Sequence, residues 1–104
     1  MKKFSLFGKF KIQEGKRETM VDILLEAAES LKSLDECELY LVNISNDDPH
    51  SVFVYEVWSN EEAHQSSLTK EATQTLITRA RPLITGMERI NTLIPLGGKG
   101  FPSS

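Results

Sequence analysis

A carboxylate, an indole and an imidazole fall within one short stretch of the chain, Glu56-Val-Trp58-Ser-Asn-Glu-Glu-Ala-His64. An imidazole exchanges a proton near neutral pH, a carboxylate orients or shuttles one, and an indole presents a flat apolar face to an aromatic ring. Held together, the three could bind an aromatic substrate and deprotonate it. Each also has an ordinary use. Trp58 could be a core residue at a strand end, and His64 a cap or solvent-facing helix residue. Glu56 could simply bond a backbone donor or Arg81.

Their placement depends on a change of period. Residues 52–58 (VFVYEVW) are β-branched and aromatic, as a strand on a half-buried sheet requires. Glu56 and Trp58 are two apart on it and so share a face. Ser59 followed by Glu62 has the spacing of a capping box, which predicts a helix beginning there with His64 near its first turn. Phe53, Tyr55 and Val57 point to the other face.

The remaining elements follow from similar patterns. Residues 3–12 alternate, with Phe4, Leu6, Gly8, Phe10 and Ile12 on one face; Gly8 in mid-strand marks a bulge or a close approach of ligand or backbone. From Glu14 to Leu34, apolar residues recur every three or four positions (Met20, Leu24, Ala27, Leu31), predicting a helix. Residues 38–45 return to strand composition, Asn46 to His50 read as a turn, and 51–58 completes a hairpin. Helices are expected over 60–69 and 70–81, the second ended by Pro82, which also restricts Arg81. After a turn at Gly86, residues 87–96 read as a strand with Ile90, Thr92, Ile94 and Leu96 on one face, and Pro95 marks an edge.

The order is β-α-β-β-α(α)-β. It predicts an α+β, ferredoxin-like antiparallel sheet with helices on one face, over residues 1–96, followed by a flexible tail over 97–104. Both faces of the 51–58 strand are apolar, yet helices can cover only one. A second copy packed sheet to sheet would cover the other, which predicts a C2 homodimer.

Composition narrows the partners. The chain has 104 residues, enough for one core, and carries a net charge of −3 with no basic stripe, which argues against nucleic acid or an anionic membrane. Cys37 is the sole cysteine, and His50 and His64 lack ligand spacing, so no metal site is expected. No apolar run reaches membrane-spanning length and no secretory leader is visible, which together predict a cytoplasmic protein. Ser67-Leu-Thr-Lys70 and Gly97-Gly-Lys-Gly100 match catalytic and phosphate-loop patterns only superficially, since neither has the flanking elements those patterns need. Asn43-Ile-Ser45 is a glycosylation triplet without a secretory context.

Tyr55-Glu-Val-Trp58, the Ser/Asn cap, Glu61-Glu-Ala-His64, Arg81-Pro-Leu-Ile84 and Leu96-Gly-Gly-Lys-Gly100 together resemble the antibiotic biosynthesis monooxygenase family. That resemblance covers nearly the whole chain and implies a dimeric α/β barrel. It also implies oxidation of a quinol or anthrone by molecular oxygen, with no metal, flavin or other prosthetic group. In such chemistry the deprotonated substrate itself passes an electron to oxygen, and the protein binds, deprotonates and shields it from water. Trp58 matches the family's pocket tryptophan, His64 replaces its proton-handling tyrosine, and Arg79 stands near a basic residue of its last helix. Val54 replaces an asparagine, removing a polariser of a substrate carbonyl. Leu68 replaces the histidine that the haem-degrading branch uses to ligate iron.

The leading expectation is therefore a cofactor-free monooxygenase for a quinol-like or polyphenolic compound. His64, Trp58 and Glu56 would be catalytic, and Tyr40, Val54 and Arg79 would line the substrate. An isomerase shuttling a proton between His64 and Glu56, or a non-catalytic ligand-binding module, would use the same fold.

Overall fold

Alternating and helical patterns give the expected element order. The computed structural model describes residues 2–100. Its elements are β1 (Phe4–Ile12), α1 (Arg17–Ser30), β2 (Cys37–Ser45), β3 (Asp48–Trp58), α2 (Glu61–Ser67), α3 (Glu71–Ala80) and β4 (Ile84–Leu93), with single 3₁₀ turns after α1 and α3. The strands lie in the order β2-β3-β1-β4 and every pairing is antiparallel. This is the ferredoxin-like α+β sheet. Among the described residues, no helix is long and apolar enough to cross a membrane. The predicted tail lies partly outside the described residues, since 101–104 are not among them.

Several boundaries differ from expectation, each for a local reason. The hairpin turn contracts to Asn46-Asp47, because Ser45 pairs with Asp48 and the Ser45 hydroxyl accepts the Asp47 N–H at 3.1 Å. Pro49 costs no ladder bond, since the β1 pairing begins only at Ser51. Arg81 keeps a helical conformation (φ −51°, ψ −45°) despite Pro82, and the chain tightens into a 3₁₀ turn. Gln13 clamps that turn: its side-chain amide donates to the Pro82 carbonyl at 2.8 Å and its backbone N–H to the Leu83 carbonyl at 2.9 Å. Gly86 is not a turn but a strand residue opposite Lys11, so β4 starts three residues early and ends at Leu93, before Pro95.

Register fixes which side chains share a face. Along β1 and β3, Phe4 pairs with Trp58, Leu6 with Glu56, Gly8 with Val54 and Phe10 with Val52. On β2, Tyr40 lies opposite Glu56 and Val42 opposite Val54. These residues all face the helices. The β1–β4 ladder is irregular: Phe7 opposes Asn91 but Gly8 opposes Arg89, so Ile90 is an extra residue on β4. The bulge that Gly8 suggested is therefore present. It breaks the expected alternation of Ile90 with Thr92.

The main core lies under α1, where Met20, Ile23 and Leu24 pack on Val52, Val54 and Ile12. Trp58 and Ala63 are buried outside this cluster, at the far end of β3. Glu56 thus sits on the strand between two apolar regions.

Val54 is 2% exposed within that core. Introducing an amide there, as Val54→Asn, should cost about 1–3 kcal/mol for a buried polar group without a ready partner. Urea unfolding at neutral pH measures this, and an unchanged midpoint would show that the site has polar partners or room for water.

Candidate functional site

The strand-to-helix junction gathers four side chains. The Trp58 indole Nε1–H donates to Glu56 Oε1 at 3.0 Å, a bond that the two-residue strand period makes possible. The His64 ring meets Trp58 edge to face, with centroids 5.5 Å apart, and lies 5.4 Å from the Phe4 ring. His64 Nε2 is 3.8 Å from the same Glu56 oxygen. That is too long for a hydrogen bond to the neutral ring, and the contact would tighten when the imidazole takes a proton. Trp58 is 1% exposed and His64 7%.

Backbone anchoring holds this geometry. The Ser59 N–H donates to the Glu36 carbonyl at 2.9 Å, pinning the end of β3 to the loop before β2. Asn60, rather than Ser59, caps α2: its side-chain oxygen accepts the Ala63 N–H at 2.7 Å. The Ser59 hydroxyl is engaged instead by Glu38 at 3.2 Å, and Glu38 also pairs with Lys3 at 2.6 Å. A carboxylate from β2 thus competes successfully for the predicted cap. Ser67 completes the helix by donating to the His64 carbonyl at 2.6 Å.

Electrostatics follow from burial. Removal from water raises the Glu56 carboxyl above the ordinary carboxylate range, while the Trp58 donor and the Arg89 cation oppose the rise. Burial and the Arg89 cation hold His64 below the ordinary imidazole value of about 6.5, against the pull of Glu61. His64 is therefore a neutral base at physiological pH. Tyr40 is pushed up by burial and by the facing Glu56 carboxylate, so its phenol stays protonated. Burial, aided by Glu56, raises the Cys37 thiol to about 11, which keeps it from acting as a nucleophile.

The structure gathers Glu56, Trp58, His64 and Tyr40 at one end of the helix-facing sheet surface, with Val54 beside them as a core residue. Arg79 is engaged elsewhere. Its guanidinium pairs with Glu26 of α1 at 2.9 Å, on a groove of about 470 Å³ between α1 and α3. Sequence reasoning did not assign a role to Phe4, which closes over the imidazole, or to Arg89. Plain alternation back from Leu93 would put Arg89 on the opposite sheet face, and only the bulge, hinted at by Gly8, brings it to this one. Among the described residues, no three His, Cys, Asp or Glu side chains cluster closely enough to hold a metal ion.

Comparison with known proteins identifies the family. Residues 4–79 match the family model described as antibiotic biosynthesis monooxygenase. The chain belongs to this family. A crystal structure from Chloroflexus aurantiacus J-10-fl, of a protein named for the same family, is 32% identical, with a TM-score of 0.86 over 96% of this chain and 99% of that one. A Shewanella oneidensis protein at 22% identity shares the fold, with a TM-score of 0.81 over 90% of this chain and 91% of that one. So does a Caulobacter crescentus CB15 protein at 16% identity, also at 0.81, over 92% of each chain. No curated protein shows significant similarity to the chain. Membership supports a monooxygenase-type function at the level of the family.

The indole N–H is a buried carboxylate's neutral donor, so its loss should depend on pH. A raised carboxyl contributes its full stability below the unfolded-state value and loses it as pH rises through the folded-state value. Trp58→Phe lifts Glu56 further. It should cost about 1–3 kcal/mol more at pH 7.5 than at pH 4.5. Urea unfolding at the two pH values checks this, and an equal loss at both would show that the indole acts by packing alone.

Proposed function

We propose that the protein is a cofactor-independent monooxygenase that oxidises a quinol-like or polyphenolic small molecule with molecular oxygen, working as a homodimer. The observation that carries the reading is a neutral, buried imidazole 3.8 Å from a desolvated carboxylate. A phenolic hydroxyl delivered to that gap meets two acceptors. His64 takes the proton, and Glu56 stabilises the imidazolium that results. The quinolate then gives an electron to oxygen, the radical pair joins carbon to oxygen, and water leaves. One oxygen atom enters the ring as a hydroxyl group and the other departs in water, taking the quinol to a hydroxyquinone. Phe4, Tyr40 and the helices exclude bulk water from the reacting atoms.

Trp58 enters this scheme differently from the sequence-based expectation. With 1% exposure it has no open face to stack on a substrate, so its part is to hold Glu56 and back the imidazole. Val54 lies in the core and Arg79 on the α1–α3 groove; neither contributes to the step.

Oxygen uptake with a panel of quinols, after chelation and dialysis, tests the activity. His64→Ala should lower kcat by about 10²–10⁴-fold, the usual worth of a positioned base. A lowered imidazole value means that kcat/KM rises with pH through a midpoint below about 6.5 and is level above it. No uptake with any quinol, or uptake abolished by the chelator, would contradict the proposal. Turnover that persists in anaerobic buffer would mark an isomerase instead.

Dimerisation is supported by the sheet face away from the helices. Phe7 stacks with Phe53 at 6.2 Å and meets Tyr55 edge-on at 6.4 Å, and with Leu41 and Leu93 they line an open hollow of about 450 Å³. A second copy would remove this apolar surface from water. Phe53→Lys should turn a dimeric species into a monomeric one by light scattering, and a monomeric wild type would refute the assembly.

A further inference from the structure

Arg89 is placed by an irregularity. In an uninterrupted ladder, the residue two before Asn91 would share its face, away from the helices. The extra residue at Ile90 reverses this, so Arg89 lies opposite Gly8 and on the side of Glu56 and His64. Bulges commonly re-aim a side chain beside a site. Among the described residues, no carboxylate lies within ion-pair distance of its guanidinium, yet its charge bears on both Glu56 and His64.

Gly8 lies between Arg89 on one side and Val54 on the other. Having no side chain, it leaves a gap in the row Phe4, Leu6, Gly8, Phe10. The gap is not imposed by crowding: a Cβ there would meet only the Glu88 carbonyl oxygen, at an ordinary 3.7 Å. It is flanked on the next pair of β1 and β3 by Leu6 and Glu56. β4 adds exposure, for Met87 is 71% exposed on the same face.

We infer that the gap over Gly8 receives a flat aromatic ring, and that Arg89 receives a carboxylate carried by that ring, so the ligand class is an aromatic acid. The inference deepens the proposed function by naming its substrate class. It concerns binding alone, so it stands or falls separately from oxygen chemistry. A guanidinium suits this role because it stays charged and can take a carboxylate through two N–H donors. Arg89 on β4 and Glu56 on β3 lie on either side of β1, so a ring over Gly8 would carry its anion toward β4 and turn its other end toward the proton-accepting gap.

The test uses two redox-stable probes that differ by one carboxylate, 1-hydroxy-2-naphthoate and 1-naphthol, titrated calorimetrically into the full chain without regard to turnover. Wild type should favour the acid by about 10–100-fold, the range of a charge-assisted contact. Arg89→Gln should abolish that preference and leave naphthol affinity unchanged, with Arg89→Lys between the two. Gly8→Val should weaken both probes by filling the gap. Because a β-branched residue could disturb the ladder, Gly8→Ala is measured beside it and should fold normally with a smaller loss for both probes. Equal wild-type affinity for the two probes, binding of neither, preference retained in Arg89→Gln, or undiminished binding in folded Gly8 variants would each overturn the inference. Charge-selective binding without oxygen uptake would uphold it and contradict the monooxygenase proposal instead.

Discussion

A carboxylate buried between two apolar regions of one strand constrains everything around it. Glu56 cannot be left without partners there, because a desolvated carboxylate costs several kcal/mol unless it is hydrogen-bonded or neutralised. The Trp58 indole supplies the bond, and strand geometry makes that bond almost unavoidable once the two residues occupy alternate positions. With the indole committed to Glu56, His64 packs on its edge, and Phe4 closes the other side of the imidazole. The chemistry of the junction follows from that packing. Burial lowers the imidazole and raises the carboxyl, which brings the proton affinities of the two groups closer together.

Two further positions set the character of the junction. Val54, on the same face as Glu56, completes the core under α1. His64 supplies a group that burial holds below the ordinary imidazole value, neutral at physiological pH. Under the proposed function, such a site suits a substrate activated by deprotonation.

Much of this was legible in the sequence because it depends on period. Alternation on β1 and β3 predicted the faces of Phe4, Leu6, Val54, Glu56 and Trp58. The three-and-four spacing from Met20 to Ala27 predicted the helix that covers them. What escaped depends on partners distant in sequence. Ser59 has the spacing of a cap, but Glu38 on a neighbouring strand takes its hydroxyl and Asn60 caps instead. Pro82 should have pushed Arg81 toward an extended conformation, but Gln13 clamps the turn. Arg89 was hidden by a bulge whose only trace in the sequence is the glycine on the opposing strand.

The central claim is that burial beside an indole-held carboxylate keeps His64 neutral. Nitrogen-detected NMR titration of the His64 ring in the intact protein tests it directly. The expected midpoint lies below the ordinary imidazole value of about 6.5, with the ring uncharged at pH 7. A midpoint at or above that value would mean that the Glu56 carboxylate, rather than burial, governs the imidazole, and the proton-accepting role would have to be withdrawn.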